Sequence, residues 1–310
     1  MTQTLRNRRV LITGANGFIG GHLVAALNAR GALISVIDRS PSSDTRCSMH
    51  FAGDLRDAAF VADAVNQANP EIIFHLAAFK ERTSEIEAFA EAIAVNVMGS
   101  LNLFTAAKKL TALRSVVVIG TAEEYGRIPC PFTENSREQP INAYSFSKVC
   151  LTHLCHVLND IYRLPFVVLR PTLAYGPGQH TDMFLPALIQ SVLHDRPFPM
   201  TLGRQTRDFL YISDLVDALL RAAVAPSAVG QIINLGSGRS ISLGDLARTI
   251  ENTIGKTGIA QIGARPYRIG EVMEYQISIR KAAELLNWSA ATSLEDGIRA
   301  TIEYYSGMSS

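Results

Sequence analysis

Tyr144 and Lys148, in the run YSFSK, stand four residues apart. On a helix that spacing puts them on one face, one turn from each other. A phenol beside an ammonium is a pair that can move protons. Free tyrosine has a pKa near 10, so about one molecule in a thousand is phenolate at pH 7. Making it mostly ionised takes a shift of roughly three units, about 4 kcal/mol. A neighbouring ammonium contributes on the order of one to three units, and a positively charged ring adds more. Tyr144 so placed is a base toward a hydroxyl or an acid toward a ketone. A half-exposed helix carrying an unrelated Tyr and Lys has the same spacing, so the reading depends on what lies beside the pair.

The stretch GANGFIGGHL, residues 14 to 23, follows the apolar run RRVLIT and sets Gly14, Gly17 and Gly20 three apart. Without side chains, a tight turn can press its backbone against a ligand. The helix that follows offers N–H groups and the positive end of its dipole to an anion. Asp38 closes the next apolar run, eighteen residues beyond Gly20. An acid there accepts hydrogen bonds from the adenosine ribose of a dinucleotide and repels a 2′-phosphate. NAD is therefore favoured over NADP, and Arg39 next door keeps NADP open. An ordinary glycine-rich β–α turn has the glycines but does not need the acid.

Elements must position these groups. RVLIT, LISVID, EIIFHLAA, RSVVVIG and PFVVLRP read as strands. Helices are predicted through GFIGGHLVAALNARG, AAFVADAVNQA, a long stretch from about residue 85 to 110, and YSFSKVCLTHLCHVLNDIY. Nearly all-apolar strands alternating with helices predict an α/β fold, a Rossmann-type doubly wound parallel sheet covered on both faces. Past Pro171 the loops carry Gly and Pro. Shorter strands (FLYI, QIINLG) are interleaved there with helices (DLVDALLRAAV, LGDLARTIENTIG). The expected division is a cofactor domain over residues 1–170, with segments returning near 205–238, and a smaller, partly discontinuous substrate lobe over 171–310. Ligands of such folds bind outside the strand C-termini, in the crevice between lobes.

The chain has 310 residues, 47% of them hydrophobic, enough for a sizeable core. A net charge of +1 gives no global field favouring nucleic acid or membrane. Arg6, Arg8 and Arg9 read as a solvated cluster. Cys47, Cys130, Cys150 and Cys155 lack metal-ligand or CxxC spacing and read as free thiols of a reducing cytosol, with no metal site. No signal peptide and no apolar run of the roughly 18 residues a membrane span needs is read, so a cytoplasmic protein is expected.

In order and spacing, the motifs resemble the extended short-chain dehydrogenase/reductase family, the NAD-dependent nucleotide-sugar epimerases and dehydratases, over nearly the whole chain. TGANGFIG, with Gly14, Asn16, Gly17, Phe18, Ile19 and Gly20, matches the family's nucleotide loop. GDLRD matches the segment where Asp54 and Leu55 border the adenine. HLAA, with Leu76, Ala77 and Ala78, matches the strand end along the cofactor, and Asn96 falls in the Asn-Val-x-Gly helix. YSFSK matches the Tyr-x-x-x-Lys signature. RPTLAYGPG, which holds Pro171, GRQTRDFLYISDLVDA and YRIGE match the C-terminal landmarks. The resemblance implies further roles. Thr121 is the hydroxyl that hydrogen-bonds the reacting oxygen, able to donate or accept as the proton moves. Lys80 resembles the lysine that UDP-sugar 4-epimerases place near the cofactor, although in KER it also reads as part of a solvated charge run. Arg207 and Arg268 match the arginines that clamp the substrate diphosphate, a task suited to planar guanidinium groups.

The stretch GTAEEYG bears on the reaction. Nucleotide-sugar 4,6-dehydratases carry an Asp-Glu pair after the threonine; here the pair is Ala122 and Glu123, which disfavours dehydration. EEYG resembles reductases of 4-keto-6-deoxy sugars, and Glu123 is either a substrate contact or a salt-bridged acid. Leu173 stands where the family often has Asn. The expected activity is an NAD-dependent nucleotide-hexose 4-epimerase working through a transient 4-keto sugar. The alternative is an NAD(P)H-dependent 4-ketoreductase of a nucleotide 4-keto-6-deoxyhexose. Family members that only sense nucleotides typically lose the Tyr or the Lys, and both are present. The helices holding AVNVMGSLNLFTAAKKL and YSFSKVCLTHLCHVL are apolar on more than one face; in the family such a pair often forms a four-helix interface, so a homodimer is expected.

Overall fold

The computed structural model describes residues 5–41, 44–83, 85–268 and 270–307. Its first half alternates β1 (Arg9–Thr13), α1 (Phe18–Asn28), β2 (Leu33–Asp38), β3 (Met49–Ala52), α2 (Ala58–Ala68) and β4 (Ile72–His75). A long helix follows, made of α3 (Ile86–Ala92), a π-helical segment (Ile93–Met98) and α4 (Gly99–Ala107). Then come β5 (Ser115–Ile119), α5 (Ala143–Tyr162) and β6 (Phe166–Pro171). The second half holds β7 (Leu173–Tyr175), α6 (Phe184–Leu193), β8 (Phe198–Met200), β9 (Thr206–Tyr211), α7 (Ile212–Val224) and β10 (Gln231–Leu235). It ends with β11 (Ser240–Ser242), α8 (Leu243–Ile254), β12 (Ala260–Ile262), α9 (Arg280–Leu286) and α10 (Leu294–Gly307).

Seven strands form one parallel sheet in the order β10-β6-β5-β4-β1-β2-β3. Successive side chains of a strand point to opposite faces. Val10 and Ile12 therefore enter one core with Leu23 and Leu27 of α1 and Leu215 and Leu219 of α7. Leu11 enters the other with Val61, Phe104 and Leu151. Covered on both sides, β5 is buried along its whole length, which is why it reads as a continuous apolar run. The strand order reverses between β1 and β4, paired from Val10↔Ile72 to Thr13↔His75. The carboxyl ends of these two strands open the crevice in which such sheets take ligands.

Past β6, β11-β9-β7 and β12-β8 make two small sheets. They pack with α6, α8 and α10 around Tyr175, Ile189, Phe209, Leu246 and Ile298. Between them the chain returns: α7 packs beside α1, and β10 joins the large sheet against β6.

Two differences from the sequence reading have physical causes. β3 is an edge strand with three exposed residues of four, so no alternation marks it. The long helix is continuous over residues 86–107, but its centre is π-helical. By length and composition it is apolar enough to cross a membrane, a stretch not visible as a run because Glu87 and Glu91 interrupt it. Within the fold 33% of its most apolar window is buried. Ile86, Ile93 and Met98 stay exposed, as do Phe146, Val157 and Ile161 of α5.

Candidate active site

The loop between β1 and α1 is the floor of the crevice. Gly14 adopts φ +78°, and a Cβ there would lie 2.7 Å from the Ala77 nitrogen. Thr13 Oγ1 accepts from Ala77 N–H and hydrogen-bonds His75 Nδ1 at 2.7 Å, while His75 Nε2 reaches Ser100 Oγ at 2.7 Å. Burial, helped by Lys148, pulls the His75 pKa down to about 3, so this imidazole is a neutral strut between strand ends and α4. Gly17 caps α1 without a side-chain hydrogen bond. The first-turn N–H groups therefore have no side-chain acceptor at the cap and suit an external anion. Asp38 Oδ2 accepts from the Asn16 N–H at 3.2 Å. Burial raises the Asp38 pKa, and the amides of Asn16 and Ala15 oppose that rise.

Two cavities meet over this loop. One, about 340 Å³, is walled by Asn16, Asp38, Arg39, Asp54, Leu55 and Ala77. The other, about 480 Å³, is walled by Phe18, Ile19, Gly20, Thr121, Tyr144 and Pro171. They share Gly14, Gly17, Leu76, Ala78, Phe79 and Lys80, so they form one elongated groove. A glycine floor with uncapped N–H groups, an acid at one end and a titratable pair at the other fits a dinucleotide with its pyrophosphate over the loop.

Tyr144 lies in the first turn of α5, which Asn142 caps by accepting from the Ser145 N–H at 2.8 Å. Lys148 is 1% exposed, and its Nζ donates to the Ile119 carbonyl at 2.7 Å. Burial pulls its pKa down to about 8 against the pull of Glu124. Lys148 Nζ is 5.9 Å from the Tyr144 ring centroid. The sequence reading has this ammonium making the phenol acidic; in the structure its Nζ is directed to the Ile119 carbonyl. Burial first, then the Glu123 carboxylate, hold the phenol above its ordinary value; the Arg82 guanidinium and a hydrogen bond with Thr121 pull it back.

Thr121 also accepts from the Glu123 N–H at 3.2 Å, capping the short turn Ala122–Tyr125. The two acids of that turn face opposite ways. Glu124 is fully buried, accepting from Thr121 N–H at 2.9 Å, Thr152 Oγ1 at 2.8 Å and Arg170 Nε at 2.9 Å. Glu123 faces the cavity, and of the two roles the sequence left open it is the salt-bridged acid here: Arg82 Nε reaches its oxygens at 2.9 and 3.1 Å.

Other sequence-predicted residues fall in several places. Lys80 walls both cavities, its ammonium lowered by burial and by Arg82. Asp54 is ion-paired with Arg56 at 2.7 Å. Asn96, in the π-helical segment, is buried, and its amide is used by the Phe79 N–H and C=O and by Ser147 Oγ. It supports the groove through the Phe79 loop and through Ser147 of α5. Arg207 walls an adjoining apolar cavity of about 150 Å³ that shares Leu173, Ala174, Gln179 and Met183 with the larger one. Arg207 Nη2 is held by Glu271 at 2.5 Å. Arg268 is exposed and is not a wall residue of these three cavities. Sequence reasoning missed Arg82, hidden in a charge run, and Tyr275, a wall residue that no motif marks.

The sequence model of the NAD dependent epimerase/dehydratase family matches residues 10–236. The UDP-glucose 4-epimerase of Mycolicibacterium smegmatis is 30% identical over 312 residues, covering 96% of this chain and 98% of that protein. A dTDP-glucose 4,6-dehydratase of Xanthomonas campestris pv. campestris is 29% identical over 327 residues, covering 95% and 92%. The solved UDP-glucuronic acid 4-epimerase from Bacillus cereus, in complex with UDP-glucuronic acid and NAD, matches with a TM-score of 0.85 at 28% identity, covering 96% of this chain and 99% of that one.

Proposed function

We propose, for a chain that belongs to the NAD-dependent epimerase/dehydratase family, that it inverts carbon 4 of a nucleotide hexose through a transient 4-keto sugar. The observation that carries this reading is Tyr144, opening beside Thr121 on a cavity continuous with the glycine groove.

The cofactor is NAD, which when bound supplies a hydride acceptor and donor and a positively charged ring. The chain's own residues do the rest. The Gly14, Gly17 and Gly20 loop, with Asn16, Phe18 and Ile19, takes the pyrophosphate at the N-terminus of α1. Asp38 and Arg39 flank the adenosine ribose, and Asp54 and Leu55 border the adenine. Leu76, Ala77, Ala78 and Pro171 line the path, and Lys80 and Lys148 face the second ribose and the phosphates. Tyr144 takes the proton of the C4 hydroxyl and, once the 4-keto sugar has turned its other face to the cofactor site, gives the proton back to the same oxygen, while Thr121 bonds that oxygen in both states. Arg207 and Arg268 are assigned to the diphosphate, for which Arg207 must exchange Glu271 for phosphate. The cofactor is held by residues 1–170 with the segments returning near 205–238, and the nucleotide sugar by the lobe over 171–310.

The geometry argues against dehydration. Ala122 carries no acid, Glu123 is engaged by Arg82 and Glu124 is turned inward to Arg170. Leu173, apolar on the wall of the larger cavity, favours the second reading, a 4-ketoreductase of a nucleotide 4-keto-6-deoxyhexose. The exposed apolar faces of the long helix and α5 support a homodimer, and the free cysteines support a cytoplasmic setting.

The test is to incubate the protein with UDP- and dTDP-hexoses without added reductant and follow C4 by NMR. Inversion with no net NADH is expected. If no nucleotide hexose changes at C4 and the purified protein retains no NAD, the reading fails. Stoichiometric NAD(P)H oxidation by a 4-keto-6-deoxy sugar would select the reductase. Asp38→Ala is expected to weaken NAD binding by about tenfold, roughly one charge-assisted hydrogen bond, and to narrow the preference over NADP. Calorimetric titration of both dinucleotides checks this.

A further inference from the structure

Five charged and titratable groups face Tyr144, from four segments. They are Arg82 from the loop after β4, Glu123 and Glu124 from the turn after β5, Lys148 from α5, and Tyr275 from the segment before α9. Glu124 is balanced by Arg170. Lys148 directs its ammonium to the Ile119 carbonyl. Arg82 lies closer to the ring than the lysine does: its guanidinium carbon is 5.0 Å from the Tyr144 centroid, against 5.9 Å for Lys148 Nζ. Glu123 fixes it there through a two-oxygen ion pair at the cavity wall.

We infer that Arg82 is a positioning residue that sets the acidity of Tyr144, with Glu123 as the opposing charge that anchors it. A guanidinium on the ring face stabilises the phenolate over the phenol, because the anion gains what the neutral form does not. The carboxylate that holds the guanidinium works the other way. The pair is thus a built-in bias on the proton-transfer group, its two halves having opposite signs. The inference rests on the reading of Tyr144 as the group that moves the C4 proton.

The test places difluorotyrosine at position 144 of the full-length protein and follows its ¹⁹F shift against pH, with and without saturating NAD. Fluorination lowers the phenol's own pKa, which brings the midpoint into a readable range. Arg82→Gln is expected to raise the midpoint by about one pH unit, Arg82→Lys to raise it less, and Glu123→Gln to lower it by about one unit. The double variant returns toward the parent value. A purely structural ion pair would lower thermal stability in both single variants and move neither midpoint. Shifts of the same sign, or shifts under a few tenths of a unit, overturn the inference. Should Arg82→Gln fail to fold, the downward shift in Glu123→Gln still decides. Absence of NAD binding would sink the functional reading while leaving the opposite-signed shifts to be read in the unliganded protein.

Discussion

Replacing Tyr144 with phenylalanine lowers C4 inversion by about a thousandfold and leaves NAD affinity nearly unchanged, because proton transfer by one positioned group is worth roughly 10²–10⁴ in rate. The substitution removes one oxygen. The ring still fills its buried place at the start of α5, and Arg82 still has a face to stack on. Thr121 keeps its hydroxyl, but the phenol that exchanges the proton is gone. Lys148, tied to the Ile119 carbonyl, does not substitute for it. Steady-state rates and dinucleotide titrations on the same preparation separate the two effects. A loss below about tenfold would show that Tyr144 is not the proton-transfer group. The pH dependence follows with its sign. Burial and Glu123 raise the phenol's pKa, so the active phenolate is scarce at low pH. The rate climbs as pH rises through the phenol's midpoint, and that acid limb disappears in the phenylalanine variant.

Gly14→Ala should abolish measurable NAD binding, a loss of at least about a hundredfold or ~2.7 kcal/mol. The residue sits at φ +78°, a conformation that costs an L side chain about 1–3 kcal/mol. Its new Cβ would stand 2.7 Å from the nitrogen and 2.9 Å from the Cα of Ala77. Those are backbone atoms at the end of a central strand and cannot swing aside. Loop and strand end must part, and the hydrogen bond from Ala77 to Thr13 is stretched with them. The melting temperature falls as well. Gly21→Ala is the control: a Cβ there meets nothing within 4 Å, and alanine in a helix interior gains about 0.5–1 kcal/mol over glycine. It should bind NAD normally and melt higher. Normal binding by Gly14→Ala would refute the assignment of this loop.

The parts of the fold legible in the sequence are those governed by local rules. Apolar strands alternating with helices carry the parallel sheet. A glycine loop between strand and helix, with an acid closing the next strand, marks the crevice, and Gly14, Gly17 and Asp38 do meet there. Tyr144 and Thr121 also meet, although they are 23 residues apart in sequence, because both lie where β5 and α5 open on one cavity. Decisions taken by tertiary packing were not legible. Nothing local tells that Glu123 faces the cavity and Glu124 the core; buried Arg170, on β6, decides it. Arg82 reads as one charge among three until the fold lays it on Tyr144. Where the Lys148 ammonium goes was not legible for a similar reason: spacing on a helix fixes the face but not the carbonyl that takes the ammonium. Arg207 and Arg268 show the limit most plainly, since their convergence depends on where the segment carrying Glu271 lies, and in this structure that acid holds Arg207.

The central claim is that hydrogen leaves carbon 4 and returns to the same carbon without meeting solvent. A nucleotide hexose bearing deuterium at C4, turned over to equilibrium in ordinary water, tests it most directly. The account predicts that the epimer carries its deuterium at C4 undiminished and that no NADH accumulates. Deuterium lost to water, or a product changed at C5 or C6 instead, would contradict it.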